Sequence, residues 1–184
     1  MNMNKKQIIK ISFGILFIGF VLLIVYLFNA EKFYPEYWLQ KRIKTFSHIE
    51  PLENIDSGGK TLIYKFYDDS GVDIEISLDN NGYVSIGCYQ WFQKNKDAKS
   101  YTFYYDKEAI NNIMNDFKKS YPNTEFNDVD NHLGGHYSTL IYKEINSDNI
   151  IEIGFYNVTP DNKFIEMKSK IIRIGNIIIS DKKR

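Results

Sequence analysis

The chain has little of the apparatus that familiar catalysis requires. Its 184 residues contain a single cysteine, Cys88, so an internal disulfide, a Cys-x-x-Cys redox pair and a cysteine-based zinc site are all excluded. Cys88 stands among apolar residues and reads as a small core side chain. No serine occupies a Gly-x-Ser-x-Gly elbow and no glycine-rich phosphate loop occurs, which removes the usual machinery of acyl transfer and nucleotide hydrolysis. Charge of one sign is lacking too, since 23 lysines and arginines face 23 aspartates and glutamates. Without a net field there is no electrostatic footprint for nucleic acid, and no nucleic-acid partner is expected. No cofactor motif is present and no cofactor is expected. The length accommodates one ordinary domain.

What the chain does have, near its start, is a long apolar run. Residues 11–28 read ISFGILFIGFVLLIVYLF, without a charge and with Ser12 and Tyr26 as the only polar side chains. At about 1.5 Å per residue, with Ile8 and Ile9 before it, such a run suits a hydrocarbon core of roughly 30 Å. The expectation is a single-pass transmembrane helix acting as an uncleaved signal anchor, because a cleaved leader has a shorter apolar region and a small-x-small site, and Phe28 occupies the wrong place for one. Lys5, Lys6 and Lys10 crowd one flank, favouring a cytoplasmic tail at residues 1–10 and an extracytoplasmic C-terminal domain at the cell membrane. The bilayer is then a partner through residues 11–28.

The following segment, 29–59, carries Phe33, Tyr34, Tyr37 and Trp38 and then a short helix opened by Pro35. Leu39, Ile43 and Phe46 fall on one face of it, which suits either the membrane surface or the helix's own domain. From residue 60 onward the period becomes two. Val72, Ile74, Ile76 and Leu78 alternate with Asp73, Glu75 and Ser77, bounded by the turn signals Asp68-Asp69-Ser70-Gly71 and Asp79-Asn80-Asn81-Gly82. Strands are expected near 61–67, 72–78, 83–92 and 101–105. Asp106 caps a helix to about residue 120 with an Ile110, Ile113, Met114 and Phe117 stripe. Further strands are expected near 137–145, 149–158, 164–174 and 177–180. The order predicts an α+β domain over residues 60–184: an antiparallel sheet with one main helix packed on it.

Two features offer candidate sites. The stretch Asp128-Val129-Asp130-Asn131-His132-Leu133-Gly134-Gly135-His136 holds two of the three histidines. If Leu133-Gly134-Gly135 formed a hairpin loop, His132 and His136 would face each other with Asp130 on the same side, a donor set suited to a divalent metal with a position left for water. A turn rich in Asp, Asn and Gly is also what any solvated hairpin tip looks like. An EF-hand loop is excluded, because it needs glycine at Leu133 and glutamate at Thr139. The second feature is aromatic. Tyr83, Tyr89 and Trp91 share one face of the third strand, and Tyr101, Phe103 and Tyr105 alternate along the next, forming either core or a contact surface for a protein or envelope component. The functional expectation is therefore a membrane-anchored, non-enzymatic binding module, with a toxin-neutralising factor as one form of it. The alternative is a metal-dependent envelope enzyme using His132 and His136.

Overall fold

The computed structural model describes residues 5–45, 59–88, 99–128, 135–144, 150–156 and 158–181. The chain divides into two compact units, Met1–Pro35 and Glu36–Arg184.

The first unit holds one helix, α1 (Lys5–Phe33), with Phe13, Leu16, Phe17, Phe20 and Leu27 among its exposed apolar residues. Among the described residues, however, no helix is long and apolar enough to cross a membrane. This finding overturns the transmembrane helix expected at residues 11–28, the signal anchor, the single-pass cell-membrane location and the extracytoplasmic placement of the C-terminal domain. The bilayer contact through the same residues loses its premise.

The second unit is an α+β domain. After α2 (Pro35–Thr45) come β1 (Lys60–Tyr67), β2 (Asp73–Asp79), β3 (Tyr83–Cys88), β4 (Lys99–Tyr104), α3 (Lys107–Ser120), β5 (Glu125–Asp128), β6 (Tyr137–Glu144), β7 (Ile150–Tyr156) and α4 (Asn162–Asp181). The strands form one sheet in the order β4-β3-β2-β1-β6-β7-β5. Six strands pair antiparallel, and β5 joins the edge parallel to β7.

The meander β1-β2-β3 follows from its turns. Asp68 closes the first, its carboxylate accepting the Val72 N–H at 2.9 Å and the Ser70 hydroxyl at 2.7 Å, and Gly71 takes φ +82°. The second turn places Gly82 at φ +102°, where an added Cβ would lie 2.9 Å from the Tyr105 carbonyl oxygen. Only glycine fits there. Alternation then sends Leu62, Tyr64, Ile74, Ile76, Leu78, Val84 and Ile86 to one face, where they form a single cluster with Leu39 and Ile43 of α2, the α3 stripe and the buried face of α4. The short helix after Pro35 thus packs on its own domain. The helix at 107–120 starts as expected, the Asp106 carboxylate accepting the N–H groups of Glu108 and Ala109.

The C-terminal segment differs from expectation. Residues 164–174 and 177–180, read as strands, lie within the single helix α4. Isoleucine-rich sequence favours strands locally, but Phe164, Met167, Ile171, Gly175 and Ile178 recur at helical spacing and are buried, and that burial outweighs propensity. Asp161 caps the helix by accepting the Phe164 N–H at 2.7 Å. Gly175 lets α4 approach closely: a Cβ there would lie 3.4 Å from Leu39 Cδ2 and 3.5 Å from both Ile76 Cδ1 and Ile86 Cδ1. Three helices, α2, α3 and α4, therefore pack on the inner face of the sheet in place of one main helix.

Candidate functional site

The opposite, outer face of the sheet carries the side chains that alternate with the core. Strand register aligns three tyrosines there: Tyr67 of β1 stands opposite Tyr137 of β6, and Tyr137 opposite Tyr156 of β7. Directly opposed residues on one sheet face have Cβ atoms about 5 Å apart, so the three rings form a continuous row. The Tyr137 and Tyr156 ring centroids are 6.4 Å apart, and all three residues are half-buried. Asp73 of β2 stands opposite Tyr67 and extends the row.

Carboxylates surround it. Glu75 pairs with Lys65 at 3.1 Å, Glu152 accepts the Tyr137 hydroxyl at 3.4 Å, and Asp68 and Asp69 occupy the β1-β2 turn. Asp73 is 7% exposed and its Oδ2 has no hydrogen-bond partner. Its pKa is pushed up to about 6, first by burial and then by the Glu75 charge, with Lys65 acting in the opposite direction. Burial and the charges of Asp69, Asp68 and Asp73 raise Tyr67. Burial is also the largest cause at Tyr137, where the Glu152 hydrogen bond and charge act in the same sense while Thr139 and Lys65 oppose. Both phenols remain neutral hydrogen-bond donors near neutral pH. The backbone around Asp73 is held independently: the Asp73 N–H donates to Gln40 Oε1 at 2.6 Å, and Gln40 Nε2 donates to the Gly71 carbonyl at 3.1 Å. The α2 helix thus clamps the turn that presents the acidic end of the row.

A second cluster lies on the inner face. Glu36 Oε1 accepts both the Tyr64 hydroxyl at 2.8 Å and Lys168 Nζ at 2.7 Å, and the Tyr64 and Ser138 oxygens are 3.3 Å apart. Serine, tyrosine, lysine and carboxylate together invite a nucleophile reading, but the geometry argues against it. Burial, followed by the Glu36 charge, raises Tyr64 well above its ordinary value, so the phenol cannot serve as a base. Lys168 donates to Glu36, and Ser138 and Tyr64 are closed to solvent at 2% and 0% exposure. The tetrad ties α2 and α4 to strands β1 and β6.

The residues singled out from sequence separate accordingly. Asp130 and His132 lie outside the described residues, as do Tyr89 and Trp91. His136 is exposed just before β6. The strands leading into and out of the histidine stretch are not neighbours, because β7 lies between β5 and β6. Of the hairpin loop expected at Leu133-Gly134-Gly135, only Gly135 lies among the described residues. Among the described residues, no group of three or more histidine, cysteine, aspartate or glutamate side chains is placed to hold a metal ion.

Tyr101 and Phe103 are not a contact surface. They stand opposite Ile86 and Val84 and are buried in the core. Tyr83 does face outward, and its ring packs edge-on against Tyr104 at 5.9 Å, with Tyr104 64% exposed. The row of Tyr67, Tyr137 and Tyr156 escaped sequence reasoning because its members come from strands far apart in the chain. Their common position at strand ends was the available signal. Compared with protein-family models, curated proteins and solved structures, the chain matches none of them.

Proposed function

We propose that the Glu36–Arg184 unit is a non-enzymatic binding module that meets a protein partner through the outer face of its sheet. The observation that carries this reading is the cross-strand row of Tyr67, Tyr137 and Tyr156 on the face opposite the three helices. Aromatic side chains supply large contact area at small entropic cost, and partly exposed tyrosines are typical of contact surfaces. Neutralisation of an incoming toxin, the particular form expected from sequence, keeps only small size and the absence of catalytic motifs as support. The partner's identity decides it.

A photo-crosslinking side chain placed at Tyr104 or Ser77, on the outer face, should give a discrete protein adduct in the source cells. The same group at Glu166, on the solvent side of α4, should give none. Equal labelling at the two faces, or none at either, would sink the reading. The metal-enzyme alternative is tested by metal analysis of the purified protein beside a His132→Ala/His136→Ala double variant, because stoichiometric metal lost in the variant would replace the binding reading with a metal site.

A further inference from the structure

Resting on that reading of the outer face, we propose that the row is a receptor for a cationic segment of the partner protein, with an arginine guanidinium taken by Asp73 and its plane laid against the Tyr67 and Tyr137 rings. Three observations converge on this chemistry. The face is acidic around the tyrosines: Asp68, Asp69, Asp73, Glu75 and Glu152 stand near one lysine, Lys65, which is already engaged by Glu75 at 3.1 Å. Tyrosine faces carry the negative side of the ring quadrupole, so the same row that repels an anionic partner attracts a guanidinium.

The third observation is Asp73 itself. It is more than nine-tenths buried, with one carboxylate oxygen unpartnered. An unpaired buried carboxylate oxygen is costly, and a donor that satisfies it recovers that cost on binding. Alternation along β2, with Val72, Ile74 and Ile76 in the core and Asp73 opposite Tyr67, places its carboxylate on the outer side. Arginine fits better than lysine because its planar fork can satisfy the carboxylate edge-on while stacking on a ring. Access requires a side-chain rotation beside Asp73, with Tyr67 as its cross-strand neighbour, on the scale that interface side chains commonly undergo.

The full chain is titrated with a capped hexapeptide of alternating arginine and serine, and with the same peptide carrying glutamine for arginine, while the tyrosine ring resonances are followed by NMR. The expected result is saturable binding of the arginine peptide alone, with the largest shifts at Tyr67 and Tyr137. Affinity should fall at least tenfold in Asp73→Asn and by a smaller factor in Glu152→Gln. Asp73→Asn is nearly isosteric, and its thermal melt shows whether the fold is kept. Unchanged affinity in a folded Asp73→Asn variant would overturn the proposal, as would absence of saturable binding. If the arginine peptide fails while outer-face crosslinks persist, the cationic assignment falls and the binding module stands. If both fail, both fall.

Discussion

On the helix-covered side of the sheet, Leu62, Tyr64, Ile74, Ile76, Val84 and Ile86 are closed to solvent and every large side chain has a neighbour in one cluster. Through the same backbone, one residue away in each strand, stand Ile63, Lys65, Asp73, Glu75, Tyr83 and Ser85, which are mostly half-buried and carry hydroxyls and charges. The inner face also buries polar groups, but it pairs them: Glu36 has two donors, and Tyr64 has an acceptor. The outer face leaves Asp73 Oδ2 without a partner. A single sheet thus separates the work of holding the fold together from the work of meeting something else.

The contrast can be broken hardest from the inner side. Phe164 is fully buried and packs edge-on against Phe155 at 4.8 Å. Phe164→Ala should cost about 3–5 kcal/mol, read as a lower urea midpoint at unchanged slope. Lys168→Met leaves the Glu36 charge buried and unpaired, and should cost about 2–3 kcal/mol, at the lower end because the Lys168 side chain is 20% exposed. The double variant Glu36→Gln/Lys168→Met should recover most of that loss in a thermal melt. A double variant no more stable than Lys168→Met alone would show that the pair does not act as a unit.

The outer side should respond with smaller effects, and in one case with the opposite sign. Asp73 is raised from 3.8 to about 6 in the folded chain, so the fold favours its neutral form. Its contribution is fully present below pH 3.8 and is lost as pH rises through about 6. Stability should therefore fall across that window, and Asp73→Asn should flatten the profile and stabilise the protein at pH 8 by about 1 kcal/mol, with Lys65 and solvent screening holding it below the full linkage value. Urea midpoints measured from pH 4 to 8 check both points. Smallest of all, Tyr104→Ser removes an exposed ring whose neighbour is Tyr83 and should cost about 0.5 kcal/mol. A loss of several kcal/mol there would erase the distinction between the faces.

How much of this was legible depended on whether the information was local. The strand pattern around Ile74 and Ile76, the two glycine turns and the capped helix at 107–120 each carry their signal within ten or so residues, and all three formed as read. The C-terminal helix was misread because isoleucine runs look like strands until the spacing of Phe164, Met167, Ile171, Gly175 and Ile178 is counted and Asp161 is recognised as a cap. Parity in β4 was equally deceptive, since whether Tyr101 or Tyr104 faces inward is set by pairing with β3, not by β4 alone. The tyrosine row and the placement of Asp73 beside it depend on register across β2, β1, β6 and β7, which no window of sequence contains. The apolar run at 11–28 shows a different failure, because composition promised a span that the described helix does not supply.

The central place of β1 has a consequence for how the chain reaches this state. One of its edges is satisfied at once by β2, its hairpin partner, but the other waits for β6; Tyr64 meets Ser138 only after 74 further residues have been made. Until then the nascent sheet exposes an open strand edge, the feature through which chains pair with the wrong neighbour and which makes distant strand pairing slow. Lys60 and Lys65 lie along that edge, and their charges discourage a second copy from docking there before β6 arrives.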